Sequence, residues 1–304
     1  MIKMNIQELK AKTLILTQTE PDDDMMFEAW KKAGLNADII FQPHSKTIRM
    51  IRRIWADGFL PGCSLWYGNW KKTLQQYNTV IVHADMRTRT VPKYIHKIKP
   101  EMRVIYWYWN PVNKDTVPCL TKDDKIECWS FDEDDCKKYN MRKNDQYYYE
   151  QDKEKNEKVE YDVYYVGHDK GRKEIIEKIK SQLLLQGLRV KFDLLRDTDP
   201  IIPYSEVQTR IRKAKAILEV NQKGQVGCTL RALEALFFRK KLITTNLNIQ
   251  KEDFYNPENI FIYGKDDVNG LQQFIDSPYD NQSDMFRNKR TVEAWFLNFF
   301  SEDK

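Results

Sequence analysis

A loop and helix near residue 230 combine the side chains that a phosphate-bearing ligand needs. The stretch GQVGCTLRALEALFFRKKLITTN carries, in order, Gly224, Gly227, Thr229, Arg231 and Glu234. Glycines let the backbone approach a ligand, and a hydroxyl beside the N–H groups of a helix start can hold a phosphate oxygen. Arg231 and Glu234 share one side of the helix, so they form either a simple surface ion pair or a ligand-facing edge. We favour the ligand-facing edge, since a carboxylate one turn into a helix can accept hydrogen bonds from a ribose diol.

A second loop, VGHDKGRKE, has similar chemistry. Gly167 ends a predicted strand, and Lys170 and Arg172 precede a predicted helix. A helix start favours anions, and both basic side chains can pair with phosphate. A solvated basic turn would have the same sequence, so both interpretations stay open. Between the two loops, RDTDPIIPYSEVQ predicts a surface loop and a helix capped by Ser205, with Tyr204 in a structural role.

Short apolar strands alternate with helical patterns along the chain. The predicted strands cover residues 12–18, 37–42, 78–85, 102–110, 125–132, 161–168, 188–195, 215–220, 241–246 and 259–264. This alternation implies βαβ units and mostly parallel sheets, in which ligands bind beyond the carboxyl ends of the strands. Both loops lie at such strand ends. The stretch 140–160 is polar and aperiodic, and we predict that part of it is a linker between two doubly wound halves.

The composition is typical of a packed α/β protein with mixed charges. With 304 residues there is room for two domains of about 150 residues each. The net charge is +5, from 50 basic and 45 acidic side chains that are interspersed rather than clustered. This pattern argues against a nucleic-acid-binding protein. It remains compatible with phosphate-bearing ligands or with weak attraction to an anionic membrane surface.

Cysteine usage and the N-terminus predict the compartment. The five cysteines show no CxxC spacing, which argues against a disulfide framework or a zinc site and favours a reducing cytoplasm. The N-terminal residues MIKMNIQELKAK lack an apolar signal core, and no apolar run approaches the length of a membrane span. We therefore expect a cytoplasmic protein, with any membrane contact peripheral and at the cytoplasmic face of the inner membrane.

Three segments in sequence order resemble a known family. VGHDKGRKE, PYSEVQTRIRKAKAILEV and GQVGCTLRALEALFFRKKLITTN are similar to the sugar-nucleotide-binding domain of GT-B glycosyltransferases, above all bacterial enzymes of surface polysaccharide or lipopolysaccharide synthesis. The resemblance covers residues 160–265. It implies an α/β fold of two Rossmann-like domains with a cleft between them. An acceptor domain would cover residues 1–150 and a donor domain 151–290, and a terminal helix over 291–304 would pack back on the acceptor domain.

The resemblance also implies roles for residues in the donor domain. Glu234 would bind the ribose of the nucleotide. The diphosphate would lie at Gly227, Thr229 and Arg231. The second loop falls where such enzymes often hold phosphate, and its candidate residues are Gly167, Lys170 and Arg172.

The sequence departs from the family at one position. Many retaining members carry a second glutamate eight residues before the ribose-binding one, and here that position is Val226. The choice between inversion and retention therefore stays open. Gln222 or Gln225 could reach the donor sugar instead.

Proton acceptors for an inverting transfer are sought at strand ends of the first half. Asp85 is our first candidate, followed by His83 and by Asp22 in the run PDDD. Each has a structural alternative, because an aspartate after a strand commonly caps a helix and a single histidine is commonly part of the packing.

The resemblance implies no bound metal and no cofactor. A helix dipole and basic side chains would neutralise the departing diphosphate. The donor would be a nucleotide-diphosphate sugar, by default a UDP-sugar, and the acceptor a saccharide or lipid-linked molecule. Asp22–Asp24 contain an Asp-x-Asp pattern, so a metal-dependent transferase stays open. Two rivals also remain: a sugar-nucleotide epimerase of the same fold, and a non-catalytic binding subunit of a polysaccharide assembly complex.

Overall fold

The chain divides into two compact units. The structure, a computed structural model, describes residues 5–18, 25–58, 60–118, 125–149, 157–196, 198–222 and 226–301. The first unit comprises Met1–Asp145 together with Phe296–Lys304, and the second comprises Gln146–Trp295. The candidate Asp22, and with it Gly224 and Gln225, lies outside the described residues.

Eleven helices and eleven strands are found in the described residues. The helices are α1 (Ile6–Ala11), α2 (Met25–Lys32), α3 (Lys46–Asp57), α4 (Trp70–Thr73), α5 (Val91–Ile98), α6 (Glu133–Tyr139), α7 (Lys173–Leu185), α8 (Tyr204–Arg212), α9 (Leu230–Phe237), α10 (Leu271–Asp276) and α11 (Val292–Asn298). The strands are β1 (Thr13–Thr17), β2 (Asn36–Ile39), β3 (Thr79–His83), β4 (Arg103–Tyr108), β5 (Glu127–Ser130), β6 (Arg142–Lys143), β7 (Tyr161–His168), β8 (Val190–Leu195), β9 (Ala214–Glu219), β10 (Lys241–Thr244) and β11 (Ile260–Ile262).

Each unit contains one parallel sheet. The first has the order β2-β1-β3-β4-β5-β6 and the second the order β11-β10-β9-β7-β8. The pairings that build both sheets are parallel. The predicted α/β class with two Rossmann-like, doubly wound sheets is confirmed. The strand order reverses between β1 and β3 in the first sheet and between β7 and β9 in the second, and such switch points open the crevices in which α/β proteins bind ligands.

The second sheet is buried on both faces, which explains its continuous apolar strands. Along β7, Tyr164 and Val166 pack into the cluster that contains the apolar residues of α8 and α9. Val163 and Tyr165 point to the opposite face, where α7 and α10 cover the sheet. Because successive side chains of a strand alternate between faces, one strand supplies both layers of the core.

The first sheet is layered in the same way. Val80 and Val82 of β3 share a buried cluster with apolar residues of α4 and α5. The next residue of β3, His83, turns to the other side, where its ring lies 5.0 Å from that of Trp30 in α2. The sheet therefore has helices on both faces, as its uninterrupted apolar strands require.

The C-terminal segment belongs to the first unit. The Phe299 ring packs edge-on against Trp107 of β4 and Trp129 of β5, with centroids 5.8 and 5.1 Å apart. Arg103 adds a hydrogen bond from its Nη2 to the Phe299 carbonyl oxygen at 2.7 Å. Buried aromatic contacts of this kind anchor the end of the chain on the first sheet.

Two local predictions need adjustment. The prediction that Ser205 caps α8 is wrong, because the helix begins at Tyr204 and Pro203 stands at the N-cap. Proline fixes an extended φ there, and its carbonyl accepts from Glu206 and Val207, so no side-chain cap is used. The boundary between the units follows Asp145, within the polar stretch 140–160, so the linker part of that stretch excludes β6, which extends the first sheet.

Asp162, at the start of β7, gives a pH-dependent contribution to stability. It accepts from both the backbone N–H and the guanidinium of Arg189 and lies 3.0 Å from the Lys215 ammonium. Although burial raises the pKa of this carboxyl, Arg189 and Lys215 lower it to about 2. A pKa below that of the unfolded chain means that the stabilisation is present above about pH 4 and is lost as the pH falls toward 2.

We therefore predict that Asp162→Asn lowers the unfolding free energy by about 2 kcal/mol at pH 7. The difference from the wild type should shrink steadily below about pH 4, because protonation removes the same charge. Urea denaturation of both proteins across this range measures it. A difference that stays constant down to about pH 2 would show that the ion pairs do not carry the effect.

Candidate functional site

The two loops that the sequence singles out meet at the switch point of the second sheet. The loop after β7 leads into α7 and the loop after β9 leads into α9. Arg172 joins them, because one nitrogen donates to the carbonyl oxygen of His168 at 2.6 Å and another to that of Val220. The guanidinium is thus occupied by backbone carbonyls. To bind a phosphate, the Arg172 guanidinium would have to break its hydrogen bonds to these carbonyl oxygens.

The turn before α7 is also internally satisfied. Asp169 Oδ1 accepts from the backbone N–H of Arg172 at 3.0 Å and of Lys173 at 2.8 Å, so the chain's own carboxylate caps this helix start. Lys170 and Gly171 have φ of 44° and 77°, a left-handed turn that suits glycine at the second position. Lys170 is exposed. It is the basic side chain of this loop that is best placed to reach a ligand.

Gly167 is required by packing at the end of β7. A Cβ at this position would lie 2.9 Å from the hydroxyl oxygen of Tyr165 and 3.5 Å from a guanidinium nitrogen of Arg172. The glycine therefore allows the tyrosine and the arginine clamp to approach the strand end.

A buried carboxylate organises the loop after β9. Glu219, the last residue of β9, is only 2% exposed and accepts a short hydrogen bond from the Thr229 hydroxyl. The same hydroxyl oxygen accepts from the backbone N–H of Arg231 at 3.1 Å, so Thr229 is the N-cap of α9. Glu219 thus fixes the start of α9 through Thr229.

The other oxygen of Glu219 fixes the loop after β10 in the same manner. Thr244 lies opposite Glu219 in the strand register and donates its hydroxyl hydrogen to Glu219. Its oxygen accepts from the backbone N–H of Asn246 at 2.9 Å. Burial raises the pKa of the Glu219 carboxyl above its usual value, although the two hydroxyl donors partly offset this rise. One carboxylate therefore positions two loops at the carboxyl edge of the sheet.

Arg231 and Glu234 form an ion pair on α9. The guanidinium donates a short hydrogen bond to one oxygen of Glu234, and the Tyr204 hydroxyl donates to the other at 2.6 Å. Burial lowers the pKa of Arg231, but the carboxylate outweighs it and holds the pKa above its usual value. The guanidinium is therefore ionised at physiological pH.

The network continues into the core through two further side chains. The Tyr204 hydroxyl lies 3.2 Å from that of Tyr148, which accepts from Gln208 Nε2 at 3.1 Å. Burial and the nearby Glu234 carboxylate raise the pKa of Tyr204 well above its ordinary value, so its hydroxyl remains a donor. Buried polar networks of this kind are stable only when their members are satisfied, and they hold each member in one orientation.

The two side chains of the ion pair differ in their exposure to solvent. The Glu234 side chain is 0% exposed, whereas that of Arg231 is 23% exposed. A ribose contact at Glu234 would therefore require Tyr204 or Arg231 to move. Arg231 is therefore the member of the pair whose side chain is partly open to solvent.

Gly227 and Val226 lie in the segment that leads into Thr229. Gly227 is buried and forms a bend, and the Val226 carbonyl oxygen accepts from Asn246 Nδ2 at 3.4 Å. The loops after β9 and β10 are thus in contact. Gly227 lies two residues before the Thr229 cap, and its diphosphate role stays a prediction.

His83 and Asp85 follow β3 at the switch point of the first sheet. Burial lowers the pKa of His83 to about 3, so its imidazole is neutral at physiological pH and a weak proton acceptor. Its ring lies between Trp30 and Trp109. Asp85 Oδ1 accepts from the backbone N–H of Arg87 at 3.0 Å and caps a short 3₁₀ turn. Asp85 is therefore a helix cap that keeps a half-buried carboxylate.

Neither a metal cluster nor a membrane-spanning helix is found in the part of the chain that the structure describes. No group of three or more His, Cys, Asp or Glu side chains there is arranged to hold a metal ion. No helix there is both long and apolar enough to cross a bilayer.

The chain was compared with known families, curated proteins and solved structures. No family model and no curated protein matches it. Among solved structures it is similar to Anabaena Alr3699/HepE in complex with UDP-glucose, with 8% identity, a TM-score of 0.46 and coverage of 95% of this chain and 98% of the other. The complex of the same protein with UDP has 11% identity, a TM-score of 0.47 and coverage of 96% of this chain and 98% of the other. A Staphylococcus aureus MnaA–UDP structure has 9% identity, a TM-score of 0.45 and coverage of 95% of this chain and 94% of the other. At these identities we take no function from the likeness.

The sequence did not single out Glu219, Thr244, Tyr148 or Gln208, and it assigned Tyr204 a structural role. A signal for the first two was present, because a glutamate inside the apolar run KAILEV must be satisfied if the strand is buried. The next strand, KLIT, offers a hydroxyl at the facing position. Tyr148 could not be linked to α9 from sequence, because the contact joins residues far apart in the chain.

We predict that Glu219→Ala destabilises the protein by about 3 kcal/mol, because the buried Thr244 hydroxyl and the half-buried Thr229 hydroxyl lose their acceptor and a cavity forms. Glu219→Gln, which keeps the shape and one acceptor, should cost about half as much or less. Urea denaturation measures both. Hydrogen exchange at the Arg231 and Asn246 amides should quicken in the alanine variant alone. Equal costs for the two variants, with unchanged exchange, would contradict the positioning role of Glu219.

Proposed function

We propose that this chain is a GT-B-type glycosyltransferase that moves a sugar from a nucleotide-diphosphate donor to a saccharide or lipid-linked acceptor in bacterial surface glycan synthesis. The observation that carries the proposal is the position of Thr229 and Arg231. They begin α9 at the switch point of the second sheet, where doubly wound sheets bind nucleotides.

The donor diphosphate is proposed to lie at the start of α9. The helix dipole and backbone N–H groups favour an anion there, and the Arg231 guanidinium can pair with phosphate oxygens. Glu234 and Tyr204 hold that guanidinium in place. Lys170 is exposed on the neighbouring loop and would supply a second cation. Positive charge placed before the reaction stabilises the diphosphate as it departs, so no metal or other cofactor is invoked.

The nucleoside is proposed to lie beside α9, with Glu234 as the predicted ribose ligand. Because Glu234 is enclosed, we propose that the ribose hydroxyls replace the Tyr204 hydroxyl as donors when the nucleotide binds. Tyr204 begins α8, and a change of its rotamer would uncover one carboxylate oxygen. UDP is the first nucleotide to test.

The first unit is proposed to bind the acceptor and supply the base. Asp85 is the preferred base, since a carboxylate at the end of β3 can take a proton from an acceptor hydroxyl when it is within hydrogen-bond reach. His83 is the weaker choice because its pKa is about 3. Asp22, in the run PDDD, stays a candidate from sequence. We place the reaction in the cytoplasm or at the cytoplasmic face of the inner membrane.

The donor site predicts selective stabilisation by nucleotide sugars. In a thermal-shift screen of UDP-, GDP-, dTDP- and CMP-sugars, a UDP-sugar at about a hundredfold its Kd should raise Tm by roughly 5 °C or more. Arg231→Met/Glu234→Gln should abolish the shift, because it removes the cation at the start of α9 and leaves no unpaired buried charge. The double variant also avoids the unfolding that loss of Arg231 alone could cause.

The matched control is Arg210→Met/Asp193→Asn, which neutralises another ion pair of the second unit, with Arg210 Nη1 at 2.5 Å from Asp193 Oδ2. This variant should keep the full shift. If no nucleotide sugar stabilises the wild type, or if both double variants retain the shift, the proposed donor site is contradicted.

The proposed base predicts a loss of transfer without a loss of stability. Asp85→Asn keeps an oxygen that can cap the 3₁₀ turn but cannot take a proton at neutral pH, so kcat should fall by about 10²–10⁴-fold. UDP release and sugar transfer, each followed with and without added acceptor, measure this. The melting temperature should stay within about 1 °C of the wild type.

Asp132→Asn is the control, because Asp132 also caps a helix after a strand of the first unit. It should leave kcat within about threefold of the wild type, since the capping oxygen is kept and no proton transfer is assigned to it. Conversion of the donor to an epimer without acceptor would identify an epimerase instead. Absence of any donor turnover would favour the binding subunit.

A further inference from the structure

Helix α3 of the first unit is oriented with its apolar side outward. Met50, Ile51 and Ile54 occupy neighbouring positions on one face and are exposed, Ile54 by 65%. The opposite side packs inward through Ala56 and through Arg52. The Arg52 guanidinium lies 4.6 Å from the centroid of the Phe41 ring and donates to the Gln42 carbonyl oxygen at 3.2 Å. A water-facing helix would show the reverse pattern.

The segment after α3 extends the apolar surface. Leu60 and Leu65 are exposed, Leu65 by 76%. Trp55 ties this segment to the helix, because its indole N–H donates to the Pro61 carbonyl oxygen at 3.0 Å and its ring contacts that of Trp66. We call the group of exposed apolar side chains in α3 and this segment the α3 patch: Ile48, Met50, Ile51, Ile54, Leu60 and Leu65. A group of exposed large apolar side chains in one segment is typical of an interaction site.

The segment that carries the α3 patch is rich in basic residues. The residues between Asp38 and Asp85 include six basic ones: Lys46, Arg49, Arg52, Arg53, Lys71 and Lys72. They include one acidic residue, Asp57, so the formal charge is +5, equal to that of the whole chain. Asp57 is itself paired with Arg87 at 2.8 Å. The excess positive charge of the protein is therefore concentrated in the segment that carries the exposed apolar side chains.

We propose that the α3 patch binds the surface of an anionic phospholipid bilayer. An interfacial helix buries apolar side chains at the boundary between headgroups and acyl chains, while flanking basic side chains meet the anionic headgroups. Met50, Ile51 and Ile54 would enter the interface, and Arg53, which is exposed, would reach the phosphates. The proposal stands independently of the glycosyltransferase assignment, since it uses no residue of the donor or acceptor sites.

Charge decides between a bilayer and a second copy of the chain. A symmetric dimer through the α3 patch would place two surfaces of the same positive sign against each other, which is unfavourable. An anionic membrane complements both the apolar side chains and the charge.

The test is co-sedimentation of the whole protein with vesicles. The wild type should bind vesicles of equimolar phosphatidylglycerol and phosphatidylcholine, and binding should weaken as salt is raised and be at least about tenfold weaker to pure phosphatidylcholine. Ile51→Glu/Ile54→Glu should weaken binding to the anionic vesicles by about tenfold or more, because it removes two inserted side chains and adds negative charge. Both positions are exposed, so the fold should be kept, as checked by melting temperature.

The matched control is Leu184→Glu/Leu185→Glu at the end of α7, where both leucines are exposed. It changes the net charge by the same amount and should bind as the wild type does, within about twofold. The proposal is overturned if the wild type does not bind anionic vesicles or if the two double variants bind equally weakly. It is also overturned if sedimentation velocity without lipid shows a dimer that only Ile51→Glu/Ile54→Glu dissociates, which would assign the patch to a second copy.

Discussion

The carboxyl edge of the second sheet depends on one buried carboxylate. Glu219 ends β9 inside an apolar strand, where an unsatisfied charge would be very costly. Two threonine hydroxyls satisfy it, Thr229 from the next helix and Thr244 from the neighbouring strand, and each hydroxyl oxygen accepts in turn a backbone N–H of the loop that follows. The cost of burying the charge is thus offset by donors that must lie in fixed places. The loops after β9 and β10 therefore take one geometry.

The start of α9 is prepared by a second carboxylate. Glu234 accepts hydrogen bonds from Arg231 and Tyr204, so its direct role in this structure is to hold these two side chains. A guanidinium held on a buried carboxylate loses little freedom when it binds an anion, and this reduces the cost of binding. Glu219 bonds the Thr229 cap and Glu234 bonds Arg231, so together they fix the helix start and the cation beside it. This is the physical basis for placing a diphosphate there.

Much of this architecture follows from the sequence, and some of it does not. Apolar runs of strand length separated by helical patterns specify two parallel sheets, because both faces of such strands must be covered. The importance of Arg231 and Glu234 follows from charges inside an apolar helix. The enclosure of Glu234 does not, because it depends on Tyr204 and Tyr148, which reach α9 only through the tertiary fold. The hydrogen bonds from Arg172 to backbone carbonyls could likewise not be predicted. A basic residue before a helix looks the same in the sequence whether its side chain binds a ligand or the chain's own backbone.

A crystal structure of the protein with UDP tests the central claim most directly. The account predicts that the diphosphate lies at the start of α9, with a phosphate oxygen within hydrogen-bond distance of the Arg231 guanidinium and with Thr229 still bonded to Glu219. Tyr204 should have turned away from Glu234, leaving one carboxylate oxygen to the ribose. UDP bound elsewhere in the chain, or bound in the second unit without contact to α9, would contradict the account.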